Sequence, residues 1–188
     1  MIPSIRCFIA VEISEEIRYQ LKDILNQLKA TDGDVKWVRP EATHLTLKFL
    51  GDVSTSQIEP IAEIVQKTVA DFHQFQAHIV GSGAFPNFHR PRVFWLGIRE
   101  GCDPLVKLAN KFESNLLTLG FEKEKRSFKS HLTLGRVRSM RQIEKVQQVL
   151  SDIDIDTWFD VDQIVFMKSD LKPTGAVYTP VHQFQLRG

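Results

Sequence analysis

The sequence predicts an α+β fold of two similar lobes, each an antiparallel sheet with helices on its outer face, related by a pseudo-two-fold axis with a cleft between them. Three observations carry this. The tetrapeptide HLTL occurs twice, at 44–47 and 131–134. Each copy follows a β-rich run and an amphipathic helix, and precedes another helix and another strand. The spacing also repeats. Phe8 stands as far before His44 as Phe94 before His131 to within one residue, and Ile79 and Ile164 follow to within two. A repeated element order at near-equal spacing is the mark of internal duplication. The expected organisation is one bilobal domain over 1–188, with half-repeats at about 5–85 and 90–172 and a final strand returning at about 176–186.

In chain order, RCFIAVEI is a short β-rich apolar run and reads as a strand. Ser14 can cap a helix whose first turn carries Glu15 and Glu16, with Ile17, Leu21, Ile24, Leu25 and Leu28 as its apolar stripe. TDGD breaks it. VKWVRPEATHLTLKFLG reads as a strand pair divided at Arg39-Pro40. A helix from about Thr55 to Phe72 follows, with Ile58, Ile61, Ala62, Val65 and Val69 on one face, and then a strand at FQAHIVGSG.

The second half opens on the strand RVFWLGI. Asp103 is the expected cap of a helix with Pro104 at its first position, Leu105, Leu108, Ala109, Phe112 and Leu116 inward, and Gly120 at its end. SFKSHLTLGRV is a strand, and RQIEKVQQVLSDI a helix burying Ile143, Val146, Val149 and Leu150. QIVFMKSDL is a strand, KPTG a turn and AVYTPVHQFQL the final strand.

Composition narrows the function. Hydrophobic residues are 43% of 188 and include 13 phenylalanines, enough for a substantial core. A formal net charge of +1 argues against a polycation that coats nucleic acid. Cys7 and Cys102 lack metal-ligand spacing and read as reduced, which suits a cytoplasmic location. No apolar run reaches membrane-spanning length, and the N-terminal run reads as a strand rather than a signal peptide.

On a strand, residues i and i+2 share a face. His44 then points with Thr46, and His131 with Thr133, while each leucine pair anchors its strand in the core. Two imidazoles and two hydroxyls around one cavity have a natural chemistry. Imidazole titrates near neutrality, so one can accept a proton while the other donates one across a phosphorus centre. The threonine hydroxyls can donate hydrogen bonds to non-bridging phosphate oxygens. No metal or other cofactor is needed. EKEKRSFKSHLTLGRVRSMR is the most basic stretch and suits a phosphate or short RNA end, although a solvated face is the ordinary use of most such charges. Arg136 lies an odd number of residues from His131, yet Gly135 could allow a bulge that turns it back to the same face.

With these residues in hand, the chain resembles the two-histidine (2H) phosphoesterases, marked by paired His-x-Thr-x motifs, and within them the RNA 2′,3′-cyclic phosphodiesterases, also called 2′-5′ RNA ligases. The resemblance covers RCFIAVEI, VKWVRPEATHLTLKFLGDV, GSGAFPNFHRPRVFWLG, FKSHLTLGRV and MKSDLKPTGAVYTPVHQF. It implies hydrolysis of a terminal RNA 2′,3′-cyclic phosphate to a 2′-phosphomonoester, with 2′-5′ ligation as a side activity. It implies His44 as proton donor, His131 as proton acceptor, and Thr46 and Thr133 on the phosphate. Partners would be RNA ends, with no membrane and no obligate protein partner, and the chain a monomer.

Arg136, Lys48, Phe88, His89 and Tyr178 are further candidate substrate contacts. His73, His78 and His182 lack any repeat between halves and read as surface or packing groups, and Trp37, Trp95 and Trp158 as core. Three alternatives stand beside this reading. The same site could act on another cyclic nucleotide, an ADP-ribose cyclic phosphate or a 2′,5′-oligonucleotide. The chain could be a non-catalytic RNA-end binding module. A two-histidine metal site would need ligands that the motif does not supply.

Overall fold

A computed structural model describes residues 4–173 and 175–188. Nine strands and four α-helices are described: β1 Ser4–Glu12, α1 Glu15–Lys29, β2 Val35–Trp37, β3 His44–Ser54, α2 Ile58–Val69, β4 Phe75–Phe85, β5 Val93–Ile98, α3 Cys102–Asn115, β6 His131–Val137, α4 Ile143–Asp152, β7 Asp156–Val161, β8 Gln163–Lys172 and β9 Gly175–Gln185. Thr174, in the expected KPTG turn, lies outside the described residues, as do residues 1–3. None of the described helices is long and apolar enough to cross a membrane.

The helices follow their apolar periodicity. The Ser14 hydroxyl accepts the Ile17 N–H, and the predicted stripe from Ile17 to Leu28 is the buried face of α1. Such a cap contributes about 1 kcal/mol. The start of α3 differs from expectation. Gly101, in the left-handed region at φ 77°, precedes a helix that begins at Cys102, so Asp103 sits in the first turn without capping it. A full side chain at 101 would collide with the Gln76 carbonyl and Ala77, which is why glycine makes that turn.

The strands form two antiparallel sheets, ordered β3-β1-β8-β9 and β2-β6-β5-β4-β7. These lobes do not coincide with the halves of the chain. The first half places β1 and β3 in one sheet but sends β4 to the other. The second half places β5 and β6 in that other sheet and sends β8 back. Matching β1 with β5, β3 with β6 and β8 with β4 superposes the two sheet orders, and β9 then matches β7. The helices cross in the same way. α3 packs on β3 and against α2, which reaches β9, while α4 packs on β4 and against α1. Each lobe therefore contains strands and helices from both halves, and one contiguous apolar core joins them.

Two expectations change. VKWVRPEATHLTLKFLG does hold two strands, but they do not pair with each other. β2 pairs with β6 in one sheet, and β3 with β1 in the other. Arg39-Pro40 thus marks a crossing between lobes. β7, over DTWFDV, is an additional edge strand beside β4, burying only Phe159 and Val161.

Candidate active site

β1 is buried on both faces, as its unbroken apolar run requires. Cys7, Ile9 and Val11 join the main core. Phe8 and Ala10 face the other way and form a small apolar floor with Val165 and Met167 of β8, against which Tyr178 of β9 packs. Thr46 lies opposite Ala10 and shares this face. His44 completes it, its ring stacked on Phe8 with centroids 4.5 Å apart and met edge-on by Tyr178 at 4.8 Å.

The second sheet is built to the same plan with different side chains. Thr133 lies opposite Trp95, and His131 opposite Gly97. Phe85 of β4 meets the His131 ring edge-on at 5.0 Å and leans on Trp95 at 5.1 Å. The two motif strands, β3 and β6, touch where the lobes meet.

Both histidines are held alike. Nδ1 of His44 lies 3.0 Å from the carbonyl of Ala42, and Nδ1 of His131 lies 2.7 Å from that of Lys129. A carbonyl can only accept, so each Nδ1 carries the proton and each Nε2 keeps its lone pair in the neutral ring. The Ala42 carbonyl belongs to a 3₁₀ turn over Pro40–Ala42. Arg18 braces that turn by donating to the Glu41 carbonyl at 2.7 Å, and Arg39 ties it to β9 by donating to the Ala176 carbonyl at 2.7 Å.

Burial lowers the His44 pKa from 6.5 to about 4; the bond to Ala42 opposes this and Arg18 adds to it. Burial also lowers His131, opposed by its bond to Lys129 and reinforced by Arg136. The free protein holds two neutral imidazoles at neutral pH. Burial raises the Tyr178 phenol despite Arg136, Arg39 and Arg6, so a cation of one lobe acts on a side chain of the other.

A bulge just after each motif threonine decides which later residues share its face. In β3 the pairing steps from Thr46–Ala10 to Lys48–Ile9, leaving Leu47 as the extra residue. In β6 it steps from Thr133–Trp95 to Gly135–Phe94, leaving Leu134 extra. Arg136 is thereby turned to the face of His131 and Thr133. Gly135 turns inward, where the Trp37 and Val35 side chains leave no room for a Cβ.

The same bulge takes Lys48 away from the cleft. Its buried ammonium donates to Glu113 of α3 and to the Glu122 carbonyl, both at 2.7 Å. Lys48 is thus a core ion-pair partner, not a group on the face of His44.

Tyr178 joins the site. Phe88 and His89 lie in the exposed loop after Phe85, whose Phe88 carbonyl accepts from Gln147 of α4 at 2.6 Å. Among the described residues, no ring contact brings either to His44 or His131.

Sequence reasoning gives no site role to Phe8, Phe49, Phe85 or Trp95. Phe49 is 52% exposed, lies opposite Phe8 in the sheet, and its ring is 6.2 Å from that of Phe8. It has the same offset from Thr46 that Arg136 has from Thr133, but the glycine that signals a bulge before Arg136 has no counterpart in β3, where Lys48 holds that place. Spacing matches Phe8 with Phe94, but Phe94 packs in the core against Trp37. The true counterpart of Phe8, two residues before the one opposite the threonine, is Val93. Of the three tryptophans only Trp37 packs as expected. Trp95 faces the cleft side, and Trp158 is half exposed, stacked on His78.

The LigT like phosphoesterase family matches the chain twice in succession, over residues 11–95 and 96–178. The chain is 34% identical over 185 residues to an RNA 2′,3′-cyclic phosphodiesterase of Methanothermobacter thermautotrophicus, covering 97% of this chain and 99% of the relative. It is 36% identical over 184 residues to one of Thermotoga maritima, covering 97% and 96%. The crystal structure of TT0787 of Thermus thermophilus superposes with a TM-score of 0.82 at 26% identity, covering 97% of this chain and 98% of that one. Escherichia coli LigT in its apo form has the same fold, with a TM-score of 0.78 at 23% identity and coverage of 98% and 99%.

Proposed function

The chain belongs to the LigT like phosphoesterase family, and from that premise we propose that it hydrolyses the 2′,3′-cyclic phosphate at an RNA end, leaving a 2′-phosphomonoester. One observation supports this above the others. Two His-x-Thr strands from different sheets meet, and each histidine has Nδ1 committed to a carbonyl two residues earlier, so that Nε2 is the nitrogen left for proton transfer.

Water attacks phosphorus in line with the bond to the 3′-oxygen. His131 Nε2 takes the proton of the attacking water, and His44 Nε2 gives a proton to the leaving 3′-oxygen. Thr46 and Thr133 donate to the non-bridging oxygens, and Arg136 offsets their charge. The stack on Phe8 and the edge of Tyr178 fix the plane of the His44 ring, as Phe85 does for His131. Because burial holds the free His44 neutral at pH 7, its proton is taken up together with the anionic phosphate, whose charge raises the imidazole pKa.

The test is turnover of a 2′,3′-cyclic nucleotide with identification of the product isomer. His44→Ala and His131→Ala should each abolish turnover in a folded protein, and the wild-type product should be the 2′-phosphate. A 3′-phosphate product, or activity in the double variant, rejects the reading.

A further inference from the structure

Past the motif, β3 lines a groove. Lys48, Phe49, Leu50 and Gly51 form one wall, residues 121–126 form the other, and the open groove has a volume of about 650 Å³. A second hollow of about 370 Å³ lies across the same segment, against Leu47 of β3 and Asn110 and Ser114 of α3. The segment therefore stands as a ridge between two hollows.

Its charge is basic. Lys123, Lys125 and Arg126 line both hollows, against Glu124 in both and Glu122 in the groove. The ridge is also fixed in place. Lys48, buried beneath it, donates to the Glu122 carbonyl and to Glu113, and Glu113 accepts the Glu124 N–H at 3.0 Å. The pairing neutralises the Glu113 carboxylate, so it does not cancel the cations above it. The groove is connected to the reacting centre through two rings. Phe49, which lines it, neighbours Phe8, and Phe8 stacks on His44.

We propose that this groove holds the phosphodiester backbone of the nucleotides immediately upstream of the reacting RNA end, with Lys123, Lys125 and Arg126 against its phosphates. The inference rests on the RNA-end reading above and deepens it from one nucleotide to a strand. A rigid basic wall beside an exposed aromatic suits single-stranded nucleic acid, where the cations follow the backbone and the ring takes a base.

The experiment compares a cyclic-phosphate mononucleotide with a cyclic-phosphate pentanucleotide, in the wild type and in K123A/K125A/R126A. Wild-type kcat/KM should rise about tenfold or more from one to the other at low salt, with a steeper salt dependence on the longer end. The triple variant should lose most of that rise while its mononucleotide rate stays within about twofold of wild type. Equal losses on both substrates, no loss on either, or no rise with length in the wild type overturns the groove. If neither protein turns over any end, the reading of the reaction fails instead. Fluorescence anisotropy with a labelled pentanucleotide then decides the groove: binding weakened about fivefold or more in the triple variant upholds it, and unchanged binding overturns it.

Discussion

Phe49 and Arg136 hold matching places in the two lobes, each three residues past its motif threonine and returned to the cleft face by a bulge at Leu47 or Leu134. The fold is symmetric there and the chemistry is not. An exposed ring suits a base, and a guanidinium suits phosphate oxygens. Base stacking is worth about 1–3 kcal/mol, so Phe49→Ala should raise KM by about fivefold to a hundredfold with kcat little changed. Arg136→Ala should instead lower kcat, by about a hundredfold if its charge is felt mainly in the transition state. Steady-state kinetics of both variants on one cyclic nucleotide checks the split. A kcat loss confined to Phe49→Ala would reverse the two roles.

The pH dependence follows from the depressed imidazoles. kcat/KM reports the free protein, in which burial puts His44 at about 4 and holds His131 below its ordinary value. Its maximum should therefore lie on the acid side of 6.5. The kcat profile reports the complex, where the phosphate anion favours both imidazolium forms, so it should move to higher pH. Coincident profiles would show that the bound phosphate does not reach the rings.

Which histidine gives the proton can be decided by the leaving atom. A substrate with sulfur in place of the 3′-oxygen expels a good leaving group and needs no general acid. His44→Ala should recover most of its loss on that substrate, and His131→Ala should not. Recovery by His131→Ala alone would exchange the assignments. The electrostatics of the free protein do not favour His44 as donor, since burial strongly disfavours its charged form, and this makes the experiment decisive.

Much of the candidate site's geometry was legible because it follows strand period. His44, Thr46, His131 and Thr133 share faces by the i, i+2 rule, and the leucines between them are buried as expected. The i, i+2 rule would also put Lys48 beside His44 and Thr46, but it fails at a bulge, and a bulge depends on cross-strand pairing that one strand does not reveal. β7 was missed because Asp156 and Asp160 suppress a strand reading, although charged edge strands are how sheets avoid pairing with other chains. The exchange of strands between lobes could not be read from order alone. The halves have the same element sequence whether each folds on itself or sends its last strand across.

The Lys48 position gives a stability prediction. Its side chain is 2% exposed and Glu113 15% exposed, so removing one charge leaves the other buried and unpaired. Such a break typically costs about 3–5 kcal/mol. Lys48→Met should lower stability to urea by that order, and Lys48→Met/Glu113→Gln should recover part of it. The folded single variant should keep its mononucleotide turnover, because Lys48 faces α3 and not the phosphate. Loss of that turnover with full stability would return Lys48 to the substrate.

His78, away from the cleft, predicts a second pH effect, on stability alone. Its Nδ1 lies 2.5 Å from Glu100 and its Nε2 2.7 Å from Asp156, and its ring stacks on Trp158 at 4.4 Å. A neutral imidazole has one N–H, so two carboxylates are both satisfied only by the charged ring. The bond to Glu100 raises the His78 pKa above 6.5, with burial opposing and Asp156 assisting, and His78 in turn lowers Glu100 below 4.5. A raised pKa in the folded state stabilises fully below 6.5 and fades as pH climbs through the folded value. The lowered Glu100 contributes above 4.5 and is lost as pH falls further. The Tm difference between wild type and His78→Gln should therefore be largest between about pH 5 and 6.5 and smaller at pH 9. The clamp joins β4, the edge strand β7 and the turn before α3, so its loosening should appear first as faster amide exchange along β7. A Tm difference that is constant from pH 5 to 9 would mean that His78 stabilises by packing on Trp158 and not by charge.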